Sequence, residues 1–166
     1  MKRLILFFTL SFLVTTATFA QTTEVWVVRH AEKDKTNPED KDPNLSDEGR
    51  IRAGDLATYL KKVKFDAAFS TAYKRTHQTL DSLIVQKVIN YKDPKSLVDS
   101  VKKNYLGKTV IIAAHSNTVL EIIEAFGGKR PMEMLTDDDY DYIFRLTVSD
   151  EKAKVKKDQY GRPHHL

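Results

Sequence analysis

The chain has 166 residues, 41% hydrophobic and 30% charged, which suits a single domain with a real core. It contains no cysteine, so disulfides and lipoprotein-type lipid attachment are excluded. The net charge is only +4, and removal of Lys2 and Arg3 would take away half of it. The other Lys and Arg residues are interspersed with acids, which speaks against a nucleic-acid partner.

The amino end, MKRLILFFTLSFLVTTATFA, has the plan of a secretory signal peptide. Lys2 and Arg3 form the basic start, Leu4 to Val14 the apolar run, and Thr18-Phe19-Ala20 a small-residue cleavage site. A membrane anchor is the competing reading, but the run is short and ends in threonine and alanine. The expected product is residues 21–166, a soluble periplasmic or secreted domain with no membrane anchor after cleavage. Its tail beyond about residue 158 is expected to be flexible.

Val25 to Val28 reads as a strand buried on both faces, as in the middle of a parallel sheet. Arg29 and His30 follow at its carboxyl end, where open α/β sheets place their ligand sites. Asp34 to Asn44 is polar and holds two prolines, hence a loop. Ser46 caps the next helix, whose apolar face is Ala53, Leu56, Leu60 and Val63. Phe65 to Phe69 reads as a short strand delivering Ser70 and Thr71, Lys74 to Val85 as a helix, and Val88 to Tyr91 as a brief strand. Asp93-Pro94 starts a helix that stops at Gly107. A buried strand, Thr109 to Ala114, then leads through a polar turn into a helix ended by Gly127-Gly128. Strands near Tyr142–Val148 and Lys152–Lys156 complete the chain. The alternation predicts an α/β three-layer sandwich: a mostly parallel central sheet with helices on both faces.

Three strands thus end in polar residues: Arg29-His30, Ser70-Thr71 and His115-Ser116-Asn117. Parallel strands would bring those ends side by side, with Arg75 in the first turn of the helix after the second. Two arginines and two histidines converging in a nearly neutral protein call for an anion. Guanidinium forks and a helix amino end both match phosphate oxygens.

In its motifs, VVRHAEK, LSDEG, FDAAFSTAYKRTHQT, VIIAAHSNT and DDDYDYIFRLTV, the chain resembles the histidine phosphatase (phosphoglycerate-mutase-like) superfamily over nearly all of residues 21–166. The usual Arg-His-Gly is departed from at Ala31. The resemblance implies that His30 is a nucleophile forming phosphohistidine, and that Arg29, Arg75 and His115 bind phosphate, His115 as an imidazolium. It implies a small phosphorylated substrate, a phosphomonoester or phosphoramidate, with no cofactor and no metal. The superfamily's exported lipopolysaccharide-heptose phosphatases offer one precedent, and the length argues against the large acid-phosphatase and phytase branch with its extra helical domain.

The general acid is the open position. A mutase-type glutamate would come from an insertion after the second motif, and Leu80 to Tyr91 carries only Asp81, which argues against mutase activity. Glu32, Asp93 and the Asp137–Asp139 run are the other carboxylates in reach, with Asp93 also readable as a helix cap. Asn117 and Lys33 are candidate substrate contacts. His77 reads as a surface helix residue, and His164 and His165 as part of a disordered end. Neither Ser70 nor Ser116 sits in a Gly-x-Ser-x-Gly elbow. The alternative to an enzyme is a non-catalytic module of the same fold that binds a phosphorylated ligand. Oligomeric state is not legible.

Overall fold

The computed structural model describes residues 22–150 and 152–163; the proposed leader and the His164-His165 pair lie outside the described residues. In chain order the elements are β1 (Thr23–Arg29), α1 (Asp47–Tyr59), β2 (Ala67–Ser70), α2 (Lys74–Leu80) and β3 (Val88–Asn90). Then come α3 (Pro94–Asn104), β4 (Thr109–Ala114), α4 (Val119–Ala125), β5 (Tyr142–Ser149) and β6 (Lys152–Gln159). The six strands form one sheet in the order β3-β2-β4-β1-β5-β6. The first four in that order are mutually parallel, whereas β5 runs antiparallel to β1 and β6 to β5.

Register aligns the functional strand ends. Arg29 lies opposite Ala114, and Ser70 opposite Ala113, so β1, β4 and β2 finish within a residue of one another. The strands are uninterrupted apolar runs because both faces are covered. Val25, Val27, Phe69 and Ile112 point to the α3 and α4 side. Trp26, Val28, Ala68 and Ile111 point to the α1 and α2 side. Each such fully buried side chain contributes roughly 1.5–3 kcal/mol, and that anchors the strands whose ends build the site.

Local signals explain most boundaries. Ser46 accepts from the Gly49 amide at the start of α1. Asp93 and Ser96 form a reciprocal capping box with proline just inside α3, so Asp93 is a structural cap. Gly107, at φ 73°, turns the chain after α3 into the left-handed region.

Four expectations need correction. The helix from Lys74 stops at Leu80 rather than Val85, because Val85 is extended and bridges Phe65, carrying the β2–β3 pairing back toward its start. That bridge also leaves Phe65 outside β2. The last strand is longer than the Lys152–Lys156 stretch and runs to Gln159. Its lysines blunt a sheet edge that would otherwise invite pairing with another chain. Beyond residue 158 the described chain still packs at Tyr160. Tyr160 is buried, and its amide donates to the Asp141 carbonyl.

Candidate active site

The level ends of β1, β2 and β4 open into a cleft of about 690 Å³. Arg29, His30, Arg75 and His115 all line it, as do Lys33 and Asn117. Tyr140 and Tyr73 flank Arg29 and Arg75, and the Asp34–Asn44 loop contributes a wall through Asp34, Lys35, Asn37, Pro38, Asp40 and Pro43.

His30 is buried immediately beyond β1, its amide donating to the Ala114 carbonyl at 2.8 Å. Its Nδ1 lies 2.8 Å from the Ala31 carbonyl oxygen. A carbonyl only accepts, so Nδ1 carries the proton and Nε2 presents its lone pair. Arg75 Nε donates to that Nε2 at 3.3 Å. Burial, with the positive fields of His115, Arg75 and Arg29 added, pushes the His30 pKa down to about 3 against the raising effect of the Ala31 hydrogen bond. The imidazole is neutral throughout the physiological range.

Arg29 is fixed by contacts far away in sequence. Its Nη1 donates to the carbonyls of Thr136, Asp137 and Asp139 at 2.7, 3.1 and 3.4 Å. Its guanidinium stacks 3.9 Å from the Tyr140 ring centroid. The buried Nε has no hydrogen-bond partner. Arg75, the second residue of α2, stacks over Tyr73 at 4.2 Å and lies 3.8 Å from the Asp42 carboxylate.

His115 stands edge-on to His30, ring centroids 5.2 Å apart. A hydroxyl chain sets its tautomer. Thr76 Oγ1 donates its single proton to backbone carbonyls, those of Tyr73 (2.8 Å) and Thr71 (3.2 Å). The Thr71 hydroxyl must therefore donate to Thr76 Oγ1, 2.9 Å away, and accept from His115 Nε2 at 3.0 Å. Burial, then Arg75 and Arg29, lower the His115 pKa to about 4. The imidazolium expected at His115 is thus disfavoured at neutral pH, first by burial and then by the arginines nearby. A bound dianion would reverse that field.

Glu32 is the clear correction among the expected site residues. It lies outside the cleft lining, and its two carboxylate oxygens accept from Arg52 Nε at 2.8 and 3.0 Å. Asp81 caps the carboxyl end of α2. Of the Asp137–Asp139 run, Asp137 borders the cleft, while Asp139 accepts from the Thr136 amide and hydroxyl. His77 pairs with Asn90 on the outside of α2, as a surface residue. The KRTHQT motif has structural duties that its sequence does not announce. Gln78 Oε1 accepts from the Leu45 amide at the end of the loop, and Thr79 Oγ1 accepts from the Ala31 amide. Sequence reasoning passed over these contacts, and also Tyr73 and Tyr140. Among the described residues no group of three or more His, Asp or Glu side chains could hold a metal ion.

The α/β domain sets a neutral histidine, two arginines and a second histidine around one cleft at parallel strand ends, an arrangement whose charge suits an anion. Residues 25–94 match the family model of the histidine phosphatase superfamily, branch 1. Over that stretch, which holds Arg29, His30 and Arg75, the chain is similar to that superfamily. Solved structures share the fold. The protein histidine phosphatase SixA, complexed with tungstate, superimposes with TM-score 0.68 at 15% identity, covering 82% of this chain and 96% of that one. YhfR of Bacillus stearothermophilus gives 0.62 at 16% identity, covering 80% and 95%. A phosphoserine phosphatase variant from Entamoeba histolytica, in complex with phosphoserine, gives 0.62 at 15%, covering 87% and 100%. No curated protein matches the chain significantly by sequence.

Proposed function

We propose that the protein is an exported, metal-independent phosphatase that hydrolyses a phosphomonoester or phosphoramidate through a phosphohistidine on His30. The observation that carries this reading is the Nδ1–Ala31 hydrogen bond, which leaves Nε2 unprotonated beside Arg75 in a cationic cleft. The Nε2 lone pair attacks phosphorus, the nitrogen–phosphorus bond forms, and the bond to the leaving oxygen or nitrogen breaks in line. Arg29 and Arg75 stabilise the charge on the equatorial oxygens, one of which gives Arg29 Nε the acceptor it lacks. His115 takes up a proton as the dianion enters and donates a hydrogen bond to it. Water then attacks phosphorus, releases inorganic phosphate and returns the electron pair to Nε2.

The leaving oxygen needs a proton, and Glu32, engaged by Arg52, is badly placed to give it. Asp34, Asp40 and Asp137 border the cleft and replace it as candidates. A phosphoramidate relaxes this demand, since its leaving nitrogen is more basic. These features favour phosphatase over mutase chemistry. Export rests on the leader at residues 1–20.

The second reading, a module that binds a phosphorylated ligand without turnover, draws on the diversion of Glu32 to Arg52. A panel of phosphate esters and phosphoramidates, assayed with and without chelator, separates the two. Turnover insensitive to chelator and lost in His30→Ala supports the phosphatase. Saturable binding without hydrolysis of any panel member supports the module.

A further inference from the structure

We infer that the buried Glu32–Arg52 pair is a positioning device for His30, holding the peptide whose carbonyl fixes the tautomer of the nucleophile. The inference rests on the proposed reaction for its catalytic consequence, although not for its structural one.

The ring proton of His30 goes to the Ala31 carbonyl, so the orientation of the Ala31–Glu32 peptide decides which imidazole nitrogen faces the cleft. That peptide is held from both ends. On the Ala31 side, Thr79 Oγ1 of α2 takes the Ala31 amide proton at 2.9 Å. On the Glu32 side, the Ser46 amide donates to the Glu32 carbonyl at 2.9 Å, and Arg52 of α1 grips the carboxylate. Arg52 is held in turn, since its Nη1 donates to the Arg162 carbonyl at 3.1 Å. The path from the end of the chain to the nucleophile is therefore Arg162, Arg52, Glu32, Ala31, His30.

Two features set this pair apart from an ordinary ion pair. Both members are buried, with side-chain exposures of 7% for Arg52 and 11% for Glu32, and burial of charge is costly unless the geometry is fixed. The close approach is also built in. A Cβ on Gly49 would stand 2.1 Å from the Glu32 carbonyl oxygen, so α1 seats on the Glu32 backbone only because residue 49 is glycine.

The test compares three full-length proteins: wild type, the neutral double variant Glu32→Gln/Arg52→Met, and Glu32→Gln alone. The double variant leaves no buried charge unpaired, and the single variant keeps an amide oxygen for Arg52 Nε. Imidazole nitrogen NMR shifts report the His30 tautomer directly, without any substrate. Turnover of p-nitrophenyl phosphate and inhibition by tungstate are measured alongside. The double variant is expected to stay folded, to lose the single Nδ1–H tautomer, and to lose kcat on the order of ten- to a hundredfold, the scale typical of outer-sphere partners of functional histidines. Tungstate inhibition should change little, because Arg29 and Arg75 remain. Glu32→Gln should retain the wild-type tautomer and most of kcat. An unchanged His30 tautomer in the folded double variant overturns the inference, as does a loss of tungstate affinity equal to the loss of kcat. Should wild type prove inactive, the tautomer comparison still decides this inference while the proposed reaction fails on its own.

Discussion

His115 Nε2 donates to the Thr71 hydroxyl at 3.0 Å, and Thr76 fixes the direction of that bond from behind. The residue closing β2's polar end thus sets the tautomer of the histidine that follows β4. Two chain segments more than forty residues apart act as one unit. Removing the hydroxyl should leave the ring free to choose either tautomer. Thr71→Val is expected to lower kcat about tenfold, the worth of roughly one hydrogen bond to a charged group. Steady-state kinetics on p-nitrophenyl phosphate check this, and an unchanged kcat speaks against the relay.

Stability should depend on pH in a direction set by the two buried imidazoles. The unfolded chain protonates both near 6.5, whereas the folded protein resists until about 3 at His30 and about 4 at His115. Between those limits the unfolded state binds more protons. The histidine contribution is therefore complete above about pH 6.5 and is lost as pH falls toward 3. Denaturant titrations at several pH values should show this slope, reduced in His30→Gln/His115→Gln. Parallel curves for the two proteins would contradict the depressed values.

Arg29 serves the cleft and the loop that follows α4 at once. Lysine cannot reach three carbonyls while stacking on Tyr140. Arg29→Lys is expected to reduce kcat/KM by about 10²–10³, the usual loss when a transition-state donor is removed. Amide exchange over residues 136–140 should also quicken. A large kinetic loss with unchanged exchange would assign Arg29 to phosphate alone.

The two glycines of α1 should answer oppositely to alanine. Gly49→Ala drives a methyl group into the Glu32 carbonyl and is expected to cost about 1–3 kcal/mol, with reduced activity. Gly54 faces no atom within 4 Å, so Gly54→Ala should gain about 0.5–1 kcal/mol from helix propensity without altering kcat. Thermal melts of the two variants and the parent decide this.

Much of this architecture was readable from the chain. β4 matched its expected limits because a strand covered on both faces is one unbroken apolar run closed by polar residues. Asp93-Pro94 announced α3 through local capping chemistry. That Arg29, His30, Arg75 and His115 would share one cleft was legible because each lies at a strand end or opens a helix. Other features had no local signal. The end of α2 is decided by the Phe65–Val85 bridge rather than by helix propensity. Arg29's partners lie more than a hundred residues away, and Glu32, in the segment after β1, finds its partner in α1. Periodicity shows which face a side chain occupies and stays silent about the partner it finds there.

The most direct test of the central claim is to quench the protein during turnover of a radiolabelled phosphate ester and map the retained label. The expected result is acid-labile, alkali-stable phosphate on the peptide containing His30, absent from His30→Ala, which should have no turnover. Label on another residue, or normal hydrolysis by His30→Ala, contradicts the account.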